Sequence, residues 1–304
     1  MAKKFEVTIL GVNSAYPVHG RHPSCQIINY DDRLIMIDCG EGSQIQLSKY
    51  HIKRSKITDI FISHMHGDHC LGLPGLLTSY SLQSRNDALH LHGPVGIRDF
   101  IENIFRVTGA HMTYPLQIFE YDTEIENSIS VTPNFSVITF PLRHRGSTMG
   151  FKVQEHINEF NIDTKAIKKF DLNIDEIKSI KQGNDLIRGM ESVANEKLTL
   201  PREKERSYAY CSDTVYFEEL ADSIRGCDLI YHETTYLDDL IHLAADRMHT
   251  TLGQAIQIAK LADVQRMIIG HYSSRYNDPG VFLEEGKSKY EGLILGEEGV
   301  TYPI

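Results

Sequence analysis

His64, His66, Asp68 and His69 fall within six consecutive positions, directly after the apolar run Ile60-Phe61-Ile62. Histidine and aspartate are not ordinary core residues, and a buried charge needs a partner. Imidazole nitrogens and carboxylate oxygens are ligands that zinc prefers. A strand ending at Ser63 would release the chain into a loop, with His64 and His66 pointing one way. Asp68 and His69 would then turn toward a second ion. The chemistry recurs downstream: His144 follows the run at 137–142, Asp213 follows 208–211, and His271 follows 267–270. Each stands just past a strand-like run, at the carboxyl edge of a sheet. Seven ligands suit two ions. The assignment is His64, His66 and His144 on one, Asp68, His69 and His271 on the other, and Asp213 bridging both.

These positions need a scaffold, and the apolar patterning supplies one. Strand-like runs lie at 7–10, 34–37, 60–63, 137–140, 208–211, 229–231 and 267–269. Helical stretches lie at about 43–50, 73–84, 96–108, 215–223 and 251–263. The last opens with Thr251 and Gln254 at capping-box spacing, and Leu252, Ala255, Ile256, Ala259 and Ala262 share one face. Strands alternate with helices in both halves, so the fold class is α/β. Pattern alone leaves two facing sheets and one doubly wound sheet both open. The 304 residues suffice for one domain with a large core. Between the candidate ligands His144 and Asp213, an insertion at about 152–206 carries dense, nearly balanced charge and apolar anchors such as Phe160, Ile167 and Ile180.

Composition narrows the class. No run is long enough to span a membrane, and the first residues lack a signal-peptide core. The five cysteines form no C-x-x-C pair; odd count and wide spacing fit reduced thiols in a cytoplasm. A net charge of −10 weighs against broad non-specific nucleic-acid binding but leaves room for a local basic surface. His90 and His92 form a further H-x-H on one strand face. No acidic ligand follows them before Gly93-Pro94, so they are read as a strand end and not as a third metal site.

The ordered set of motifs resembles the metallo-β-lactamase superfamily, and within it the ribonuclease Z family of tRNA 3′-processing endonucleases. H-x-H-x-D-H marks only the superfamily. Asp38-Cys39-Gly40-Glu41-Gly42-Ser43-Gln44, His232-Glu233-Thr234-Thr235, His249-Thr250-Thr251 and His271-Tyr272-Ser273-Ser274-Arg275-Tyr276 narrow it to the family, and the likeness runs nearly end to end. It implies an αββα sandwich over 1–304 with the insertion as a tRNA-grasping arm, or exosite. It also implies a zinc-dependent endonuclease with two Zn²⁺ per chain, manganese being the alternative. Precursor tRNA would lose its 3′ trailer, leaving a tRNA 3′-hydroxyl and a trailer 5′-phosphate. Two ions acidify water near neutral pH and clamp a phosphodiester. Asp68 matches the family's proton acceptor, and Glu233 orienting His249 is the candidate pair for protonating the departing oxygen.

Ser273 and Arg275 are candidate phosphate contacts, with Lys165, Lys168 and Lys169 on the arm. Many arms of the family have a Gly- and Pro-rich tip; here no proline lies between Pro141 and Pro201, and the tip is placed at about 172–183. The resemblance further implies a cytoplasmic homodimer, with no membrane association and no other protein partner evident. A dinuclear phosphodiesterase for other RNA or small phosphodiesters is the alternative within the class. A non-catalytic, metal-binding tRNA partner is the alternative outside it, disfavoured by the presence of Glu233 and His249.

Overall fold

The structure, a computed structural model, describes residues 3–304. Its first sheet begins with β1 (Phe5–Gly11), β2 (Cys25–Tyr30) and β3 (Arg33–Ile37), paired antiparallel. Asp31 and Asp32 turn the chain between β2 and β3 at φ of 50° and 69°, a conformation Asp tolerates better than most side chains and one that suits a two-residue hairpin. β4 (Ile57–Phe61), β5 (Leu89–Pro94) and β6 (Leu116–Tyr121) then add in parallel. Parallel neighbours need crossovers, and helices Ser43–Lys49, Leu73–Leu82 and Ile97–Thr108 lie in them. Leu76, Leu77 and Tyr80 of the second helix, and Ile97 and Ile101 of the third, join Ile60 and Leu91 in one apolar cluster. Burying each such side chain contributes about 1.5–3 kcal/mol.

The remaining strands are β7 (Asn127–Thr132), β8 (Phe135–Pro141), β9 (Met149–Glu155), β10 (Leu186–Arg188), β11 (Glu191–Val193), β12 (Ser207–Cys211), β13 (Leu229–Glu233), β14 (Met267–Gly270), β15 (Leu293–Leu295) and β16 (Thr301–Pro303). β16 returns to pair with β1, giving a seven-stranded sheet in the order β16-β1-β2-β3-β4-β5-β6. The second sheet runs β15-β14-β13-β12-β9-β8-β7, with β12 to β15 parallel. Their inner faces meet: the Phe61 and Phe151 ring centroids are 5.4 Å apart, the Tyr208 hydroxyl donates to Gln26 at 2.5 Å, and Tyr210 donates to Asp38 at 2.7 Å. Two facing sheets, and not one doubly wound sheet, are what the chain builds. Helix Leu252–Leu261 opens with the expected capping box of Thr251 and Gln254.

Some elements depart from expectation. The stretch at 215–223 is helical only over Leu220–Ser223. Upstream, Val215 N–H donates to the Arg143 carbonyl and the Arg143 guanidinium lies 4.2 Å from the Phe217 ring centre, so tertiary contacts override helical pattern. β4 stops at Phe61, and Gly67–Cys70 is a short helix and not a loop. Gly40 and Gly72 explain its position: a Cβ on Gly72 would overlap the Gly40 carbonyl oxygen, and one on Gly40 would overlap that of Asp68. Cys39 N–H donates to His69 O and Gly72 N–H to Cys39 O, so this close approach docks the 38–40 loop on the metal-loop helix.

Residues 129–137 and 154–206 form a second compact unit. Helices Thr164–Phe170 and Ile174–Lys181 and the β10–β11 hairpin enclose a core of Ala166, Leu172, Ile180, Leu186 and Leu198. Asp163 caps the first helix, and Asn173 with Glu176 forms a capping box on the second. Residues 172–183 are thus mostly helix, and the exposed turn of the unit is Gly189-Met190.

Candidate metal centre

Four strand ends and one short helix deliver the seven residues. His64 and His66 follow β4, His144 follows β8, Asp213 follows β12 and His271 follows β14; Asp68 and His69 ride on helix Gly67–Cys70. They form two groups. In one, Asp213 Oδ2 lies 3.7 Å from His64 Nε2 and 3.6 Å from His144 Nε2, and His66 Nδ1 lies 3.3 Å from His144 Nε2. In the other, Asp213 Oδ1 lies 3.4 Å from His69 Nε2 and 3.2 Å from His271 Nε2, with Asp68 Oδ2 3.4 Å from His271 Nε2. Ligands at about 2.0–2.1 Å on a tetrahedral ion stand about 3.3–3.4 Å apart, so both groups have coordination spacing. Asp213 divides its two oxygens between them. His64 Nε2, His69 Nε2 and Asp213 Oδ1 are buried without a hydrogen-bond partner. Such orphaned atoms are costly, and one cation in each group would satisfy all three.

The outward nitrogens are fixed by neighbours. His69 Nδ1 is 2.7 Å from Asp38 Oδ2, which also accepts from Ser63 and Tyr210 hydroxyls at 2.9 and 2.7 Å. His144 Nδ1 donates to the Met248 carbonyl at 2.7 Å and His271 Nδ1 to the Thr235 hydroxyl at 3.0 Å. Each contact leaves the inward Nε2 lone pair for an ion and sets the ring's orientation. Asp38 and His271 hold left-handed backbone, φ 56° and 61°, uncommon for such residues and a strain met mostly at functional positions.

Glu233 and His249 sit beside this centre. Glu233 is fully buried and accepts from Thr214, Thr235 and Thr250 backbone N–H groups, the Thr235 hydroxyl and His249 Nδ1 (3.1 Å). Burial works against the imidazolium of His249, but the charge and hydrogen bond of Glu233, with Asp213, outweigh it and push the pKa up to about 9. Burial likewise opposes the Asp213 carboxylate; His271 and His69 outweigh that and hold it anionic. With Nδ1 engaged, His249 keeps Nε2 for a proton transfer.

A cleft of about 320 Å³ opens on the centre, lined by His66, Asp68, His144, Asp213, His249 and His271 together with Ser273 and Arg275. Arg145, Arg247 and Tyr236 line it as well, and sequence reading missed them. Arg145 adjoins His144 and Arg247 stands two residues before His249, so adjacency to a motif was the available signal. Asp38, Thr235 and Met248 were missed as supports because their partners are distant in sequence. Lys165, Lys168 and Lys169 lie exposed on helix Thr164–Phe170 of the second unit and are not among the cleft residues.

An α/β sandwich with a histidine–aspartate cluster at its strand ends is the mark of metal-dependent hydrolases of the metallo-β-lactamase fold. Residues 196–272 match the beta-lactamase superfamily domain, and residues 5–114 match the family described as anti-Pycsar protein Apyc1. Ribonuclease Z of Bacteroides fragilis (strain YCH46) is 36% identical over 303 residues, spanning 99% of this chain and 100% of the relative. That of Cytophaga hutchinsonii is 40% identical, spanning 99% and 96%. Human tRNase Z, short form, superposes with a TM-score of 0.70 at 25% identity, covering 98% of each chain. The Bacillus subtilis metallo-beta-lactamase fold protein YhfI shares the fold at the same TM-score and 16% identity, covering 99% and 100%. The chain belongs to the ribonuclease Z family.

Proposed function

We propose that the chain is a zinc-dependent endoribonuclease that removes the 3′ trailer of precursor tRNA, leaving a 3′-hydroxyl on the tRNA and a 5′-phosphate on the trailer. The observation that carries this reading is Asp213 with one oxygen toward each histidine group, next to a His249 held by Glu233. The seven residues fit two ions, which when bound would acidify water near neutral pH and neutralise a phosphodiester. Asp68, whose Oδ2 accepts from Ala15 N–H at 2.7 Å and faces the His69–His271 group, takes up the proton of the attacking water on its other oxygen. His249 Nε2 returns a proton to the departing 3′ oxygen, with Glu233 keeping the imidazolium populated. Arg275, Arg145, Arg247 and Ser273 bind the phosphate oxygens flanking the scissile bond. The second unit serves as the tRNA arm, through Lys165, Lys168 and Lys169, and a homodimer lets the arm of one subunit present tRNA to the other. Among the described residues no helix is long and apolar enough to cross a membrane. Among the described residues all five cysteines are buried and none is in a disulfide, which agrees with a cytoplasmic setting.

Purified protein is incubated with a precursor tRNA bearing a 3′ trailer, and both product ends are determined. A tRNA ending in a 3′-hydroxyl with a 5′-phosphorylated trailer supports the reading. Cleavage of bis(p-nitrophenyl) phosphate without cleavage of the tRNA would leave only a general phosphodiesterase.

A further inference from the structure

A second histidine–aspartate cluster lies on the first sheet. In the β4–β5 register Asp59 pairs with His90 and Phe61 with His92. Asp59 Oδ1 stands 3.0 Å from His90 Nδ1 and 3.6 Å from His92 Nε2, and the three donor atoms all lie within 4.8 Å of one another. These distances straddle the spacing of two ligands on one tetrahedral ion, about 3.3–3.4 Å. The isolated H-x-H at 90–92 carries no such message in sequence. The carboxylate comes from the neighbouring strand, thirty-one positions away.

The remaining atoms of each residue are already engaged, which fixes the donors in place. Asp59 Oδ2 accepts from the Thr58 hydroxyl at 2.6 Å and Arg33 at 3.4 Å, leaving Oδ1 toward the imidazoles. His92 Nδ1 bonds the Tyr121 hydroxyl at 2.9 Å. Its ring is stacked between Phe61 (centroids 4.3 Å, planes 7° apart) and Phe119 (5.0 Å, 12°). His92 is 4% exposed, and its Nε2 is buried with no hydrogen-bond partner. A proton on His90 Nδ1 satisfies the His90–Asp59 contact but leaves His92 Nε2 only a long, 3.6 Å approach to the same Asp59 oxygen, and a poorly paired buried group is costly. A cation satisfies all three atoms at once. The His90 side chain is 32% exposed, which leaves a route for the ion and room for water as the fourth ligand.

We propose that Asp59, His90 and His92 bind a divalent transition-metal ion of the zinc class, at a site separate from the centre described above. Two imidazoles and one carboxylate select such ions over magnesium or calcium, which prefer all-oxygen shells. Arg33 opposes part of the ion's charge from the far oxygen of Asp59. Only three protein ligands contribute, against the seven candidates at the strand ends. The site is therefore the weaker and more exchangeable of the two, filling in excess zinc and emptying first on dialysis. An ion there clamps β4 to β5 a few residues before His64.

Protein as purified is equilibrated by dialysis against excess Zn²⁺, and bound zinc is counted by elemental analysis for the wild type, His90→Gln and Asp59→Asn. His90 is partly exposed, so His90→Gln leaves the stacked His92 ring in place. The wild type takes up one more zinc per chain than either variant, and crystals soaked in zinc show an anomalous peak between His90 and His92. Equal uptake by wild type and His90→Gln, or zinc-soaked wild-type crystals lacking that peak, overturns the proposal; the crystals decide even where a variant fails to fold. Neither readout depends on nuclease activity.

Discussion

At the scale of single residues, Glu233, His249 and Asp68 perform separable tasks around one bridging carboxylate. A ring nitrogen of His249 lies within 4.8 Å of the Asp213 and His271 donors, but its Nδ1 is occupied by Glu233 and it stands outside the assigned seven. His249→Ala should therefore keep the metal content and tRNA affinity close to normal while losing roughly 10²–10⁴-fold in rate, the span of general acid–base catalysis. Loss of metal, with activity restored by added zinc, would return His249 to a supporting role. Asp68→Ala should both abolish turnover and weaken the ion held by His69 and His271. Glu233 raises the pKa of His249, so the acid is protonated below that value and lost as pH rises through it. In Glu233→Gln the alkaline limb of the rate profile should move to lower pH. Cations bound at the centre would depress His249 in both proteins alike, so the direction of the change is the same. An unmoved limb would show that His249 is not the titrating acid.

At the scale of elements, the approach of two glycines positions the metal loop. Gly72→Ala would drive a Cβ into the Gly40 carbonyl. Overpacking of this kind costs about 1–3 kcal/mol. It should also loosen the Asp38–His69 contact, so thermal unfolding and retained metal should fall together; a variant with wild-type values of both would refute this account of the docking. The second unit offers a contrasting case, because it has its own apolar core. Ile162 and Thr199 form an antiparallel bridge, so removing residues 161–198 joins positions already close in space. All seven candidate ligands belong to the other unit. Cleavage of a small phosphodiester should persist after this deletion. Cleavage of precursor tRNA should collapse through lost binding, with salt-dependent affinity in the intact protein. Unchanged KM and rate on tRNA would reduce the insertion to a solvated appendage.

At the scale of the whole molecule, metal and fold are linked. The centre draws on residues from position 64 to position 271, in both sheets, and an ion that binds only this arrangement stabilises the folded state by mass action. Protein purified without chelator should carry close to two transition-metal ions per chain, mainly zinc. Chelation should lower the Tm, and zinc should restore it. Tight retention of a single ion in fully active protein would reject the two-ion centre.

Much of this protein is written in local pattern. H-x-H-x-D-H after an apolar run, single ligands after later runs, and the Thr251–Gln254 cap all depend on residues a few positions apart, and periodicity reports such short-range constraints directly. Tertiary structure decided the rest. Pattern could not choose two facing sheets over one, because both bury the same apolar strands. The helix at 215–223 was cut short because Arg143, distant in sequence, claims its first residues. Asp38 on His69, Thr235 on His271 and Asp59 beside His90 and His92 were invisible for the same reason. Each pairs side chains from different segments, and the contact exists only once strand register brings them within bonding distance.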